Sequence, residues 1–462
     1  MPENDDAVGT TSALIAEFVA GFDLARAPAP AAGLAETALL DTIGVMLAGS
    51  REPAARIARD MVAAEGAAPR ATVAGSRLRS SPAGAALANG VATQALDFDL
   101  SFMIGQSAAA LFPGLLPLAE TRDAGPGELL AAYIVGCEVC ARIARSFPTL
   151  SSEGGLHGAG VIGAVAAAAA FARMTQQPAE RIPAILGLAA SMAAGLGVNF
   201  GTMTKPLHAG LAARNAMTAL MLSERGFTAS PAALDGPEGF FAVLARGLPW
   251  DTRPFDDLGR EFALVDPGYK IKPFPCGGLM HCPIEAALAI RAESKLPPDD
   301  IARITVGVTR HARDRAIDRY PWSEDSARFS LRYLIATALV HGAVTLSAFR
   351  ADAIADKTVE ALAARCETVA DEAFAHVTGS GYSPARVTIV LADGRRLEKT
   401  VEVAAGARTT PMGEDRIRGK FLACAARALG DGAAEELYAY LRSIRHRRSL
   451  KDLWPLLAAD DA

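Results

Sequence analysis

From the N-terminus to about residue 265, small side chains recur at helical spacing, and no other feature limits the fold as strongly. Stretches such as AETALLDTIGVMLAG, GAGVIGAVAAAAAFARM and AGLAARNAMTALMLSERG carry alanine and glycine where a helix meets its neighbours. Low side-chain volume lets backbones approach, so these segments predict closely packed helices, several of them buried on every side. A chain of 462 residues exceeds what one simple core holds, which predicts a second domain.

Local signals mark the elements. Thr11 or Ser12 can cap ALIAEFVAGF, and Ser81-Pro82 supplies cap and first turn for an alanine-rich helix running to Asp97. RATVAG is a short strand among the helices. After Pro267-Gly268 the texture changes. DIARITVGVT alternates like a strand, and ARVTIVLADGRRLEKTVEV forms a hairpin turning at Asp393-Gly394. Between them, SARFSLRYLIATALVHG and TVEALAARCETVADEAF are expected as helices. The expected architecture is mostly α: a helical domain over 1–266, joined by C-terminal helices over 405–462, and a smaller α+β domain over 267–404.

Several classes of function lose support at this stage. A net charge of −5 makes no electrostatic case for nucleic acid or an anionic membrane. The longest apolar runs are alanine-rich and are expected to be too short to span a bilayer. The N-terminus MPENDDAVG places acids where a signal peptide needs bases. Six scattered cysteines, at 137, 140, 276, 282, 366 and 424, fit a reducing cytoplasm. Cys137 and Cys140 form a C-x-x-C pair inside a continuous helical pattern, with no second pair to complete a zinc site, and are expected in the core. Phosphate-binding loops, strand–G-x-G-x-x-G–helix units and G-x-S-x-G elbows do not occur, so nucleotide cofactors and elbow nucleophiles lack support.

The polar residues that resist a structural explanation are few. Asp97 and Asp99, in DFDLSFMIGQ, follow a buried helix and need water, a cation or a role in chemistry. Of seven histidines, three stand in glycine- or proline-marked junctions: His157 in EGGLHGAG, His208 in TMTKPLHAG, and His281 in YKIKPFPCGGLMHCP. Helix N-termini offer N–H groups and positive potential to an anion, so these junctions suit a small carboxylate. A lone junction histidine is more often a structural hydrogen-bonder, and Cys276 near His281 is more readily a packing residue than a nucleophile. Lys205 lies between apolar flanks, where burial would make its amine a functional candidate. The histidine spacing does not fit a metal, and none is expected.

Taken in order, ALLDTIGVMLAGS, ANGVATQALDFDLS, GLHGAGVIGAVAAAA, NFGTMTKPLHAGLAARNAMTALMLSERGFT, LDGPEGFF and KPFPCGGLMHCPIEAAL resemble the MmgE/PrpD family over nearly the whole chain. The family includes 2-methylcitrate dehydratase, cis-aconitate decarboxylase and iminodisuccinate epimerase. The resemblance implies a helical domain with a smaller α+β domain and an active site in the cleft between them. It further implies a homodimer needing no metal or organic cofactor, acting at a carbon beside a carboxylate of a small di- or tricarboxylate. By motif, it implies catalytic roles for His157, Lys205, His281 and Asp97. Substrate binding is implied for Ser101, Gln106, His208, Lys272 (the lysine of K-P-F-P-C) and Tyr320. Two positions depart from the family pattern: Leu100 replaces an acid, and Gln106 stands near a histidine's place. Glutamine hydrogen-bonds a carboxylate but cannot shuttle a proton. Methylcitrate-type dehydration is the leading reading, with iminodisuccinate-type epimerisation as close rival and decarboxylation third. A non-catalytic carboxylate-binding relative is the alternative from another class.

Overall fold

A computed structural model describes residues 10–150, 153–295, 297–377 and 383–460. The acidic N-terminal nonapeptide, which carried the reading against a signal peptide, lies outside them. Two compact units divide the chain. One comprises residues through Val198, Thr204–Tyr269 and the segment from Gly413; the other comprises Asn199–Met203 and Lys270–Met412.

The first unit is helical: α1 (Thr11–Gly21), α2 (Ala31–Gly49), α3 (Pro53–Ala64), α4 (Pro82–Gln94), α5 (Leu111–Arg122), α6 (Pro126–Ser146), α7 (Gly158–Met174), α8 (Ile182–Ser191), α9 (Thr204–Ser223) and α10 (Phe240–Ala245). A two-stranded ribbon pairs β1 (Ala71–Thr72) with β2 (Arg79–Ser80), which places a strand within RATVAG. Ser81 caps α4 as expected, its hydroxyl accepting the Gly84 N–H at 3.1 Å. At α1 the cap is Thr10, whose side chain accepts from Ala13; Thr11 and Ser12 instead occupy the buried first turn. The alanine-rich helix ends at Gln94, not Asp97, because Asp97 takes a left-handed conformation at φ 49° that a helix cannot continue through.

The close packing foreseen from small residues is most evident where α4 crosses α9. A Cβ on Gly210 would stand 2.5 Å from the Leu87 carbonyl oxygen, so only glycine permits this approach. Helix α2 is long and apolar enough to cross a membrane, contrary to the expectation that no run was. However, 78% of its apolar window is buried inside the protein, and it packs against α4 and α6 as a core helix. Cys137 and Cys140 are both fully buried on α6, in the core as expected.

The second unit contains α11 (His281–Ser294), α12 (Arg310–Arg315), α13 (Glu324–Ala327), α14 (Leu331–His341), α15 (Ala351–Ile354) and α16 (Lys357–Ala363). Its sheet is built from β3 (Ile301–Val308), β4 (Cys366–Ala370), β5 (Ala385–Leu391) and β6 (Arg396–Val401) in the order β4-β3-β5-β6. The β5–β6 hairpin turns at Asp393-Gly394, with Gly394 at φ 87°. Along β5, Ala385, Val387, Ile389 and Leu391 alternate into the core, where α11 packs. One expectation fails here. TVEALAARCETVADEAF is not a single helix, since it breaks after Ala363 and CETVA pairs in parallel with β3. The chain then returns to the helical unit as α17 (Glu414–Leu429) and α18 (Asp431–Arg442), both packed on α2.

Candidate active site

In the helical unit, three segments bring charged and polar groups together: the turn after α4, the loop entering α7, and the first turns of α9. Pro206 sits in the first turn of α9, where its missing N–H has no intrahelical partner to lose. The helix therefore begins at Thr204, which places Lys205 and His208 one turn apart and His208 inside the helix, not in a junction.

The Lys205 Nζ donates to Asp97 Oδ2 at 2.7 Å, and both side chains are 4% exposed. Asp97 is fixed from the other side by the Gln106 amide, which donates to its Oδ1. The same Nε2 reaches Asp99 Oδ1 at 3.3 Å, and the Gln106 carbonyl oxygen lies 3.5 Å from Lys205 Nζ. Gln106 thus bridges two buried carboxylates and one ammonium. A left-handed non-glycine residue costs about 1–3 kcal/mol, and here the surrounding contacts over-determine it. Leu100 is buried, and Ser101 beside it is half-buried.

His157 is the N-cap residue of α7, its backbone N–H donating to the Gly195 carbonyl at 3.0 Å. The glycines that follow it serve packing: a Cβ on Gly160 would lie 2.1 Å from the Ala194 carbonyl oxygen. Close approach brings Ala109, Ala159 and Ala209 into one buried contact and sets His157 beside His208. The two Nδ1 atoms are 2.9 Å apart. Two imidazoles meeting this way need one Nδ1–H between them, the other ring accepting. Burial first, then the Lys205 ammonium, hold the His208 imidazole below its ordinary value of 6.5.

The α+β unit contains a second polar group. Lys272 Nζ and His281 Nε2 both meet the Cys276 carbonyl oxygen, at 3.2 and 3.3 Å, and all three residues are buried. His281 opens α11, its ring edge-on to Phe274. Arg328, which sequence reasoning passed over, donates to the Pro275 carbonyl at 3.0 Å and is 3% exposed. The Tyr320 hydroxyl donates to the Ile354 carbonyl at 2.6 Å. Among the described residues, no cluster of metal-binding side chains occurs.

Helices built on small residues thus carry a buried lysine–aspartate pair and a histidine pair. The family follows from comparison with known sequences. The MmgE/PrpD N-terminal domain model matches residues 13–253 and the C-terminal domain model matches 274–444, so this chain is a member of the MmgE/PrpD family of enzymes. It is similar to cis-aconitate decarboxylase of Mus musculus, at 27% identity over 82% of this chain and 79% of that protein. The Homo sapiens cis-aconitate decarboxylase matches at 26% identity over 91% and 88%. A mitochondrial 2-methylcitrate dehydratase of Yarrowia lipolytica matches at 28% identity, over 42% of this chain and 38% of its own.

Proposed function

We propose that this protein is a cofactor-independent lyase acting at a carbon beside a carboxylate of a small di- or tricarboxylate. Decarboxylation of the cis-aconitate type is the first reaction to test. Dehydration of the 2-methylcitrate type and epimerisation of the iminodisuccinate type are the alternatives. The observation that carries the reading is the buried cluster of Lys205, Asp97, His157 and His208. The near full-length match to decarboxylases, against partial matches to dehydratases, supports moving decarboxylation ahead of the order suggested by sequence alone.

In such a reaction the bond to the departing carboxylate breaks and CO2 leaves. In cis-aconitate the electron pair shifts through the adjacent C=C bond and is delocalised into the carboxylate at its far end, and a proton adds to the carbon beside that carboxylate. A pre-placed ammonium in a site sheltered from water stabilises that charge far better than solvent does. Lys205 is the group for this role, with Asp97 holding it in place. The His157–His208 pair delivers the proton. Lys272 and His281 are proposed as a further carboxylate-binding set within the α+β unit. A homodimer in the cytoplasm belongs to the same proposal.

The test is a panel of small polycarboxylates with the purified protein. CO2 release from cis-aconitate supports decarboxylation. Growth of unsaturated-product absorbance from 2-methylcitrate supports dehydration, and solvent-deuterium exchange with inversion supports epimerisation. Thermal stabilisation by these compounds without turnover would replace all three with a non-catalytic carboxylate-binding role.

A further inference from the structure

We infer that Lys420, on the returning helix α17, is a positioning residue for the Asp97–Lys205 pair; this rests on the functional reading above. Its ammonium donates to the Phe98 carbonyl oxygen at 2.8 Å, across 322 residues of sequence. It also lies 4.0 Å from the centroid of the Phe98 ring and pairs with Asp41 of α2 at 2.6 Å. The Lys420 and Asp41 side chains are 5% and 1% exposed.

Phe98 is the residue between the two buried carboxylates Asp97 and Asp99, so its carbonyl belongs to the turn that holds Asp97 at φ 49°. Lys420 grips that turn by backbone and by ring face together. Asp41 fixes the ammonium in place, and the sheltered setting leaves little water to substitute for it. The left-handed Asp97 is thus held at its side chain by Lys205 and Gln106, while Lys420 holds the next peptide but one, Phe98–Asp99. A lysine serving only to fasten α17 to α2 would need Asp41 alone. The contacts to Phe98 add a connection to the candidate site.

Lys420→Met, Lys420→Arg and, as a control, Arg427→Met are compared with the unaltered protein. Arg427 pairs with Glu52 at 3.1 Å and fastens the same helix without touching the turn. A reacting group misplaced by about 1 Å can slow turnover roughly 100-fold. The expected result for Lys420→Met is a kcat loss of that order in the folded fraction, a shifted pH profile of kcat, and partial rescue in Lys420→Arg. Arg427→Met should lose stability with unchanged kcat. A crystal structure of Lys420→Met should show the Asp97 carboxylate displaced from Lys205 Nζ, a readout that needs no substrate. If the unaltered protein turns over no polycarboxylate, the functional reading fails, and the structural readout still decides the positioning. An undisplaced Asp97 with unchanged kcat and pH profile in Lys420→Met would overturn the inference.

Discussion

His157 and His208 meet through their Nδ1 atoms at 2.9 Å, a contact that admits one hydrogen between the two rings. His208 is held below its ordinary 6.5 by burial and by Lys205. A depressed histidine value means that the fold favours the neutral ring. That contribution to stability is complete above about pH 6.5 and is lost as the pH falls from there through the depressed folded-state value. Denaturant unfolding of His208→Gln should therefore show a shallower loss of stability on acidification than the parent. Equal slopes would mean that His208 titrates as it does in the unfolded chain.

The Lys205–Asp97 pair separates stability from chemistry. Removing one partner leaves a buried charge, which costs about 3–5 kcal/mol, whereas replacing both with apolar groups can be nearly neutral. Lys205→Met and Asp97→Leu should each destabilise by that order in urea unfolding, and the double variant should recover much of the loss. Turnover should stay abolished in all three. A double variant that regains turnover would show the pair to be structural.

Gln106 donates to both Asp97 and Asp99, so Gln106→Leu deprives two buried carboxylates of a donor. Stranding a buried acceptor costs about 1–3 kcal/mol, more when it is charged. Gln106→Glu places a third carboxylate among the first two and should destabilise further near neutral pH than at acid pH. Denaturation midpoints at two pH values check both statements. A Gln106→Glu protein as stable as the parent at neutral pH would contradict this charge arrangement.

Where α4 crosses α9, a methyl group on Gly210 meets the Leu87 carbonyl. Gly210→Ala should push the helices apart, at about 1–3 kcal/mol of overpacking. Because α9 carries Lys205, turnover should fall more than the folded fraction. A variant of parental activity would show that the crossing does not control the site.

Much of this was legible beforehand because helical spacing of small residues is a local signal, and so is the period-two alternation of β3 and β5. Strand β4 was missed for a physical reason. Five residues continue a helical pattern, and their strand character comes from a parallel partner more than sixty positions earlier. His208 was misplaced by reading Pro206 as a break, although proline suits a first turn. Candidate residues were named one by one from motifs. The contacts among them were not legible, since Gln106 bridging two carboxylates and Lys420 reaching Phe98 depend on packing between distant segments.

The most direct test of the account follows the proton itself. The protein is incubated with cis-aconitate in D2O, and the product is read by proton NMR. The account predicts one deuterium at the carbon beside the carboxylate that takes up the electron pair, and a rate about 100-fold lower or worse in folded His157→Gln, as general acid–base groups usually show. Deuterated product formed at the parental rate by His157→Gln would contradict it.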